Sequence, residues 1–227
     1  MTNIAKALNS VRARIASAAK ACGRSPEEIV LLAVSKTKPV AAIREAHAAG
    51  QNTFGENYLQ DALPKIRELQ DLGLEWHYIG RIQSNKTNEI AQHFAWVHSI
   101  DKLKHAQRLS KQRPVDMQPL QCCIQVNLSG EQSKGGVSTA ELPQLARSIA
   151  QLPHLQLRGL MTMPDPHSKP EDQASVFAEL AQLKRQLESE GILLDTLSMG
   201  MSGDLELAIA AGSTLVRVGT DIFGART

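Results

Sequence analysis

Residues 196–218 read TLSMGMSGDLELAIAAGSTLVRV, and this stretch contains the unit from which the fold is built. An apolar run comes first, and a turn of small residues follows it. A helical pattern comes next, and a second apolar run ends the stretch. A strand, a helix and a strand in that order predict a βαβ unit with two parallel strands.

The same unit recurs along the whole chain. Apolar runs predict strands at Ile29–Val34, Thr53–Phe54, Trp76–Ile79, Trp96–Ile100, Cys122–Val126, Leu157–Met161, Thr196–Met199 and Leu215–Val218. The helical patterns between them occupy residues 39–49, 57–72, 84–93, 101–113, 139–152, 170–190 and 204–211. Eight strands that alternate with helices in 227 residues predict a closed (β/α)8 TIM-type barrel, as one domain over residues 1–227. The alternative, an open doubly wound sheet, usually has a glycine-rich turn after its first strand, but residues 35–39 here read SKTKP.

The composition is that of an ordinary soluble globular protein, and it argues against several classes of function. Lys and Arg total 25 and Asp and Glu total 23, so the net charge of +2 argues against a nucleic-acid binder that acts through bulk charge. The longest unbroken apolar run, Ile29–Val34, is too short to cross a membrane. Three cysteines form no disulfide framework and the seven histidines have no metal-ligand spacing, so we expect a metal-free protein of a reducing compartment, the cytoplasm.

Residues 1–26 contain five basic residues and no acidic residue. This pattern is typical of a mitochondrial transit peptide. It also fits a surface helix that packs through Ile4, Leu8, Val11 and Ile15. We predict the helix, because the stretch runs into the helix start GRSPEE without an evident cleavage region.

The first predicted strand ends with a lysine. Side chains alternate along a strand, so Leu32, Val34 and Lys36 share one face, and the sites of barrels lie at the carboxyl ends of their strands. If this face points into the barrel, Lys36 stands at the mouth above an apolar floor, where desolvation favours the neutral amine that attacks a carbonyl group. Lys38 has the same parity and competes for this role, but Pro39 starts the next helix and leaves Lys38 in the turn.

The last quarter of the chain contains two candidate phosphate loops. Ser202 and Gly203 stand where a helix begins, and free N–H groups there bind anions, although a serine at this position also serves as a helix cap. Gly219 and Thr220 follow the final strand, where the backbone can approach a phosphate closely. The loops after strands seven and eight are the common phosphate site of this barrel. Arg217 shares the interior face of the final strand.

An amine, two phosphate loops and an arginine at one barrel mouth predict a ligand with an aldehyde, a phosphate and a ring nitrogen. Pyridoxal 5′-phosphate (PLP) has all three groups. We expect Lys36 to form a Schiff base with the aldehyde, the loops to bind the phosphate, and Arg217 to face the ring nitrogen.

Longer motifs identify a family. The chain contains AVSKTKP (33–39), FGENY (54–58), HYIGRIQSNK (77–86), GLMTM (159–163), SMGMSGD (198–204) and GSTLVRVGTDIFGAR (212–226). In these motifs, over essentially its whole length, it resembles the pyridoxal phosphate homeostasis protein family, also described as the YggS/PROSC type. The resemblance implies a single barrel of the type found in the amino-terminal domain of alanine racemase, known as fold type III, here with an extra N-terminal helix.

The resemblance also assigns roles to residues. It implies that Lys36 holds the cofactor, that Ser202, Gly219 and Thr220 hold its phosphate, and that Arg217 meets the ring nitrogen. Further residues match family positions that line the mouth or lead into the phosphate turn: Asn57, His77, Met161 and Ser198. Lys134 matches a lysine of the family pattern and is a candidate second amine.

Three functions remain open from the sequence. The first, which the resemblance implies, is a cytoplasmic, monomeric PLP carrier or buffer that serves apo-enzymes and maintains vitamin B6 and amino-acid homeostasis without turnover. An arginine keeps the ring nitrogen neutral and weakens the ring as an electron sink, and we expect the barrel to leave no second domain to supply the tyrosine base of alanine racemase.

The second is a small PLP-dependent racemase or lyase, which needs an acid–base group opposite Lys36, and neither Tyr58 nor Tyr78 can be assigned to it. The third is a cofactor-free phosphosugar enzyme that uses Glu56.

Overall fold

The computed structural model describes residues 3–128 and 135–225 of the chain. In this part of the chain eight parallel strands close into a barrel in the order β1 to β8, with β8 paired to β1. The strands are β1 (Val30–Val34), β2 (Thr53–Glu56), β3 (Glu75–Tyr78), β4 (Trp96–Ile100), β5 (Leu120–Gln125), β6 (Leu155–Met161), β7 (Thr196–Ser198) and β8 (Leu215–Val218). Each strand overlaps one predicted apolar run, so the closed barrel is confirmed and the open sheet is excluded.

Helices surround the barrel. They are α1 (Ile4–Ala21), α2 (Val40–Ala48), α3 (Leu59–Glu68), α4 (Thr87–His93), α5 (Leu103–Gln112), α6 (Leu142–Ala150), α7 (Pro170–Ser189), α8 (Leu205–Ala210) and α9 (Thr220–Phe223), with 3₁₀ helices at Pro26–Glu28 and Gln70–Leu72. The pattern predicted over residues 57–72 is divided between α3 and the second 3₁₀ helix. The sequence pattern does not predict α9, because four residues are too few to show a helical period.

The N-terminal helix is part of the fold. Its predicted packing face is confirmed, since Ile4, Leu8, Val11 and Ile15 are all buried. The helix lies on the outside of the barrel and contacts α8 and α9, the two helices that begin after β7 and β8. It therefore packs behind the two predicted phosphate loops.

Strand register brings the first and last strands together at the mouth. Leu32 of β1 lies opposite Arg217 of β8, so the loops that follow these strands leave the barrel side by side. A Cβ atom on Gly219 would stand 3.2 Å from the carbonyl oxygen of Val34. Glycine at this position therefore permits the close approach of the two loops.

The barrel interior contains polar groups. The large apolar core includes side chains from strands and from the helices around them, and Trp96, Cys123 and Met161 form a separate small cluster. His98 and Arg217 are also buried. Among the described residues, no helix is long and apolar enough to cross a membrane.

Candidate functional site

A cavity of about 500 Å³ opens at the carboxyl ends of the strands, which is a usual size for a small-molecule site. Its lining includes most of the predicted site residues, namely Lys36, Asn57, Met161, Ser202, Arg217, Gly219 and Thr220. It does not include His77 or Ser198, and Lys134 lies outside the described residues. The barrel thus brings an amine, an arginine and both predicted phosphate loops to one cavity.

A buried ionic cluster holds the loop that contains Lys36. The ammonium group of Lys65 lies 3.0 Å from the carbonyl oxygen of Ser35 and 2.9 Å from Glu56 Oε1, and the Ser35 hydroxyl donates to the same oxygen over 2.7 Å. Burial raises the pKa of Glu56, whose other oxygen has no hydrogen-bond partner among the described residues. Glu56 does not line the cavity. It is therefore not placed to act as the catalytic carboxylate that the hypothesis of a phosphosugar enzyme requires.

Two further contacts fix this loop. Asp61 accepts hydrogen bonds from Lys65 over 2.8 Å and from the backbone N–H of Thr37 over 2.7 Å. Thr37 has a φ of 63°, a left-handed conformation that costs a residue with a Cβ atom roughly 1–2 kcal/mol. Lys38 donates to the carbonyl oxygen of Ala225 over 2.9 Å, which ties the loop to the segment after α9.

Asn57 presents a free acceptor at the cavity. Its Oδ1 atom is buried and has no hydrogen-bond partner in residues 3–128 and 135–225. A buried amide oxygen without a partner costs free energy, so this atom is suited to accept a hydrogen bond from a ligand. The next loop packs tightly behind it, because a Cβ atom on Gly80 would lie 2.0 Å from the Asn57 carbonyl oxygen.

The turn after β7 leaves its serine hydroxyl unused. The predicted helix start is corrected, since α8 begins at Leu205 and Asp204 is its N-cap residue. Asp204 closes the turn by accepting a hydrogen bond from the backbone N–H of Met201 over 2.5 Å. Ser202 Oγ makes no hydrogen bond to a described residue, so Ser202 is not a helix cap, and the residue is among those that line the cavity.

One arginine of α1 joins the two loops. Arg14 donates to the carbonyl oxygen of Ser202 over 2.9 Å. It also pairs with Glu206 in the first turn of α8 over 2.7 Å and with Asp221 in the first turn of α9 over 2.5 Å. Sequence reasoning missed Arg14, because only the folded chain shows that its three partners lie at one place.

Arg217 is buried, and no carboxylate of the described residues contacts it directly. Its Nη1 donates to the carbonyl oxygen of Ser198 over 2.5 Å and to the Ser198 hydroxyl over 2.7 Å, and its Nη2 donates to the carbonyl oxygen of Thr162 over 2.8 Å. Burial lowers the pKa of Arg217 to about 10, so the guanidinium remains charged at neutral pH. Three of its five N–H donors are used by the protein, and Arg217 also lines the cavity.

The residues that line the cavity do not include His77, which the family resemblance places at the mouth. His77 lies within β3, one residue before its end, and is buried in the barrel, where it bonds to His98 and Glu75. Ser198 ends β7 but points to His98 and Arg217 instead of the cavity. Sequence motifs locate both residues on strands, but they do not give the depth of a side chain in the barrel.

The cavity also contains polar residues that sequence reasoning missed. They are Arg81, Ser99, Asp101 and Gln125. Asp101 is the sole carboxylate among the described lining residues, and its Oδ1 lies 3.3 Å from His105 Nδ1. The sequence could have identified Asp101, since this residue follows directly after a predicted strand, where barrel sites lie.

Comparisons with known proteins agree with this architecture. The family model described as "Alanine racemase, N-terminal domain" matches residues 7–227. The chain is 58% identical to the pyridoxal phosphate homeostasis protein of Pseudomonas aeruginosa, covering 100% of this chain and 97% of the relative. It is 55% identical to the Escherichia coli protein of the same name, covering 100% and 98%. The solved structure of PipY from Synechococcus elongatus with PLP bound is 39% identical, covers 97% of this chain and 100% of PipY, and superposes with a TM-score of 0.87.

Proposed function

The chain belongs to the pyridoxal phosphate homeostasis protein family, whose barrel is that of the alanine racemase N-terminal domain, and we propose that it binds PLP in its cavity as a carrier or buffer. In this proposal the single-domain protein works in the cytoplasm as a monomer, supplies apo-enzymes with cofactor, and so contributes to vitamin B6 and amino-acid homeostasis. The name of the curated relatives and the PLP in the PipY structure support the choice of ligand.

The observation that carries the proposal is the set of groups at one cavity. Lys36 supplies a primary amine, Ser202, Gly219 and Thr220 supply the phosphate loops, and Arg217 supplies a fixed positive charge, all at the same cavity. PLP supplies an aldehyde that reacts reversibly with primary amines, so Lys36 Nζ would hold it as a Schiff base.

The hydrogen-bonding groups fit such a ligand. The unused Ser202 hydroxyl is a donor for a phosphate oxygen, and Asn57 Oδ1 is a buried acceptor without a partner among the described residues. Arg217 can only donate hydrogen bonds, so it would keep the ring nitrogen in its neutral, accepting form. A neutral ring nitrogen withdraws electrons weakly, which favours holding the cofactor over using it.

The ionisable groups of the cavity also favour a carrier over an enzyme. Neither tyrosine of the chain lines the cavity, because Tyr78 donates to the carbonyl oxygen of Arg81 and Tyr58 is exposed. Burial raises the pKa of Tyr78 to about 12, which makes it a poor acid at neutral pH. For the racemase or lyase alternative, the candidate acid–base groups that line the cavity are Asp101 and, in addition, Lys36 and Lys38.

The first test is the spectrum of the purified protein with PLP. We expect a yellow absorption band that borohydride bleaches, and a reduced cofactor attached to the peptide containing Lys36. Lys36→Ala should lack the band, whereas the matched control Lys38→Ala should retain it. A colourless wild-type protein, or a band that only Lys38→Ala abolishes, would contradict the assignment.

A second test separates carrier from enzyme. The PLP-loaded protein should reactivate an apo-enzyme that requires PLP, and it should not exchange the α-proton of amino acids in D2O. Exchange that Asp101→Asn abolishes would instead support the racemase or lyase. Light scattering of the eluted protein should give the mass of one chain, 24.7 kDa.

A further inference from the structure

A chain of hydrogen bonds runs through the barrel from Arg217 to the opposite end. Arg217 Nη1 lies 2.7 Å from Ser198 Oγ, which lies 2.8 Å from His98 Nδ1. His98 Nε2 lies 2.9 Å from His77 Nδ1, and His77 Nε2 lies 2.9 Å from Glu75 Oε1. We call these five residues the barrel relay.

The two ends of the barrel relay lie in different surroundings. Arg217, Ser198, His98 and His77 are buried, and Arg217 lines the cavity. Glu75 is the first residue of β3, and its side chain is 47% exposed. The relay therefore joins the cavity to solvent at the amino-terminal end of the barrel.

The chemistry of its ends allows the relay a single arrangement of protons. A guanidinium group only donates, so Ser198 Oγ accepts from Arg217, but a hydroxyl oxygen has room to accept from His98 as well. The direction is set at the other end: an ionised Glu75 only accepts, so two neutral rings each carry their proton on Nε2, and Ser198 donates its own proton to His98 Nδ1. A neutral His98 then carries its proton on Nε2 and donates to His77 Nδ1. His77 likewise carries its proton on Nε2 and donates to the carboxylate of Glu75, which only accepts.

The surroundings favour neutral histidines and an ionised Glu75. Burial lowers the pKa of His77 and places that of His98 well below its ordinary value, and the charge of Arg217 acts on His98 in the same direction. The hydrogen bond from His77 lowers the pKa of Glu75, and Arg158 lowers it further. The ring of Trp96 stacks on His77 at 5.3 Å between centroids.

We propose that Ser198, His98, His77 and Glu75 are positioning residues for Arg217, and that the relay opposes the guanidinium charge with a carboxylate at the far end of the barrel. The relay fixes the Ser198 hydroxyl as an acceptor for Nη1, which sets the orientation of the guanidinium at the cavity. This inference rests on the proposed function, in which Arg217 is the partner of the PLP ring nitrogen.

The proton arrangement is tested on the protein without PLP. In ¹⁵N-histidine NMR spectra, His77 and His98 should both show the neutral form protonated on Nε2. They should keep it down to about pH 6, where an exposed histidine titrates, and the signals are assigned by their loss in His77→Gln and His98→Gln. A proton on Nδ1 of either ring, or a charged ring at neutral pH, would overturn the proposal.

The coupling to the cavity is tested with a double-mutant cycle. Glu75→Ala should weaken PLP binding about three- to tenfold, within the range of coupling found inside one hydrogen-bond network, and should shift the absorption maximum of the bound cofactor. In the Ser198→Ala background the same change should have no effect, because the relay is already cut. Asp195→Ala is the matched control, since Asp195 lies near the same end of the barrel and pairs with Arg158.

The outcomes distinguish the two proposals. No effect of Glu75→Ala on affinity or spectrum, or an equal effect in both backgrounds, would refute the relay while leaving PLP binding intact. A wild-type protein that does not bind PLP would refute the proposed function, and the NMR spectra would still decide the proton arrangement.

Discussion

The buried ionic cluster that holds the Lys36 loop should contribute to stability, and the burial of its side chains sets how large that contribution is. Lys65→Met keeps the length of the side chain but removes the charge that faces Glu56. The side chains of Lys65 and Glu56 are 6% and 0% exposed. Removal of one partner from a buried pair costs about 3–5 kcal/mol. For a chain of this size we expect the thermal midpoint to fall by about 6–20 °C.

The stability that Lys65→Met loses should depend on pH. The pKa of Glu56 is raised above 4.5 in the folded protein, so the folded state binds more protons than the unfolded state between that value and the folded pKa. The contribution of Glu56 to the free energy of unfolding therefore falls as pH rises through this window. Without Lys65 the pKa of Glu56 rises further, because the neighbouring positive charge is gone. Lower pH protonates Glu56 and removes the unpaired charge, so the difference in free energy of unfolding between wild type and Lys65→Met should become smaller as pH falls towards about 4.5.

The assay is calorimetric unfolding over a pH series, with two controls. Arg44→Met removes an ion pair with Asp71 whose side chains are 43% and 57% exposed, and it should leave the thermal midpoint nearly unchanged, because water screens an exposed pair. The double change Lys65→Met with Glu56→Gln removes both charges and should recover much of the loss. If the single variant is as stable as wild type, or the double variant is no more stable than the single one, the reasoning is wrong.

Three further predictions concern the loops around the cavity. Ser202→Ala should raise the Kd for PLP about 10- to 150-fold, the value of one hydrogen bond to a charged group, and calorimetric titration should show this with the unfolding midpoint of the PLP-free protein unchanged. Arg14→Leu should raise the same Kd about 2- to 30-fold by releasing both phosphate loops. The control Arg24→Leu should reduce stability and leave the Kd unchanged, because Arg24 contacts Glu28, the far end of α8 and the turn after α8. Gly80→Ala should cost about 1–3 kcal/mol of stability or more, because its Cβ atom collides with the Asn57 carbonyl oxygen. An unchanged melting curve for Gly80→Ala would contradict that expectation.

The sequence predicts the barrel and the main cavity residues because both depend on local patterns. Apolar runs identify strands, and the alternation of side chains places Lys36 and Arg217 on the interior face before any contact is known. The structure brings both residues to the cavity. Neither strand parity nor a family motif gives depth, however: the family resemblance places His77 at the mouth, whereas its side chain is buried within β3.

Long-range contacts account for what the sequence does not predict. Arg14 is separated from Glu206 by 192 residues and from Asp221 by 207, and no local pattern marks such a partnership. Lys65 reads as one of several charged residues on a surface helix, yet it is buried because it meets Glu56 and Asp61 at once. Asp101 could have been found from the sequence, since it directly follows a strand.

The bridge that Arg14 makes between the turn after β7 and α9 has a consequence for the rate of ligand exchange. Loops that are already ordered need no rearrangement when a ligand arrives, so association is not slowed by a conformational step. Departure likewise leaves the same ordered surface behind, ready for the next molecule. In the proposed carrier, the rate of exchange would then be set by making and breaking the bond to Lys36 and not by movement of these loops.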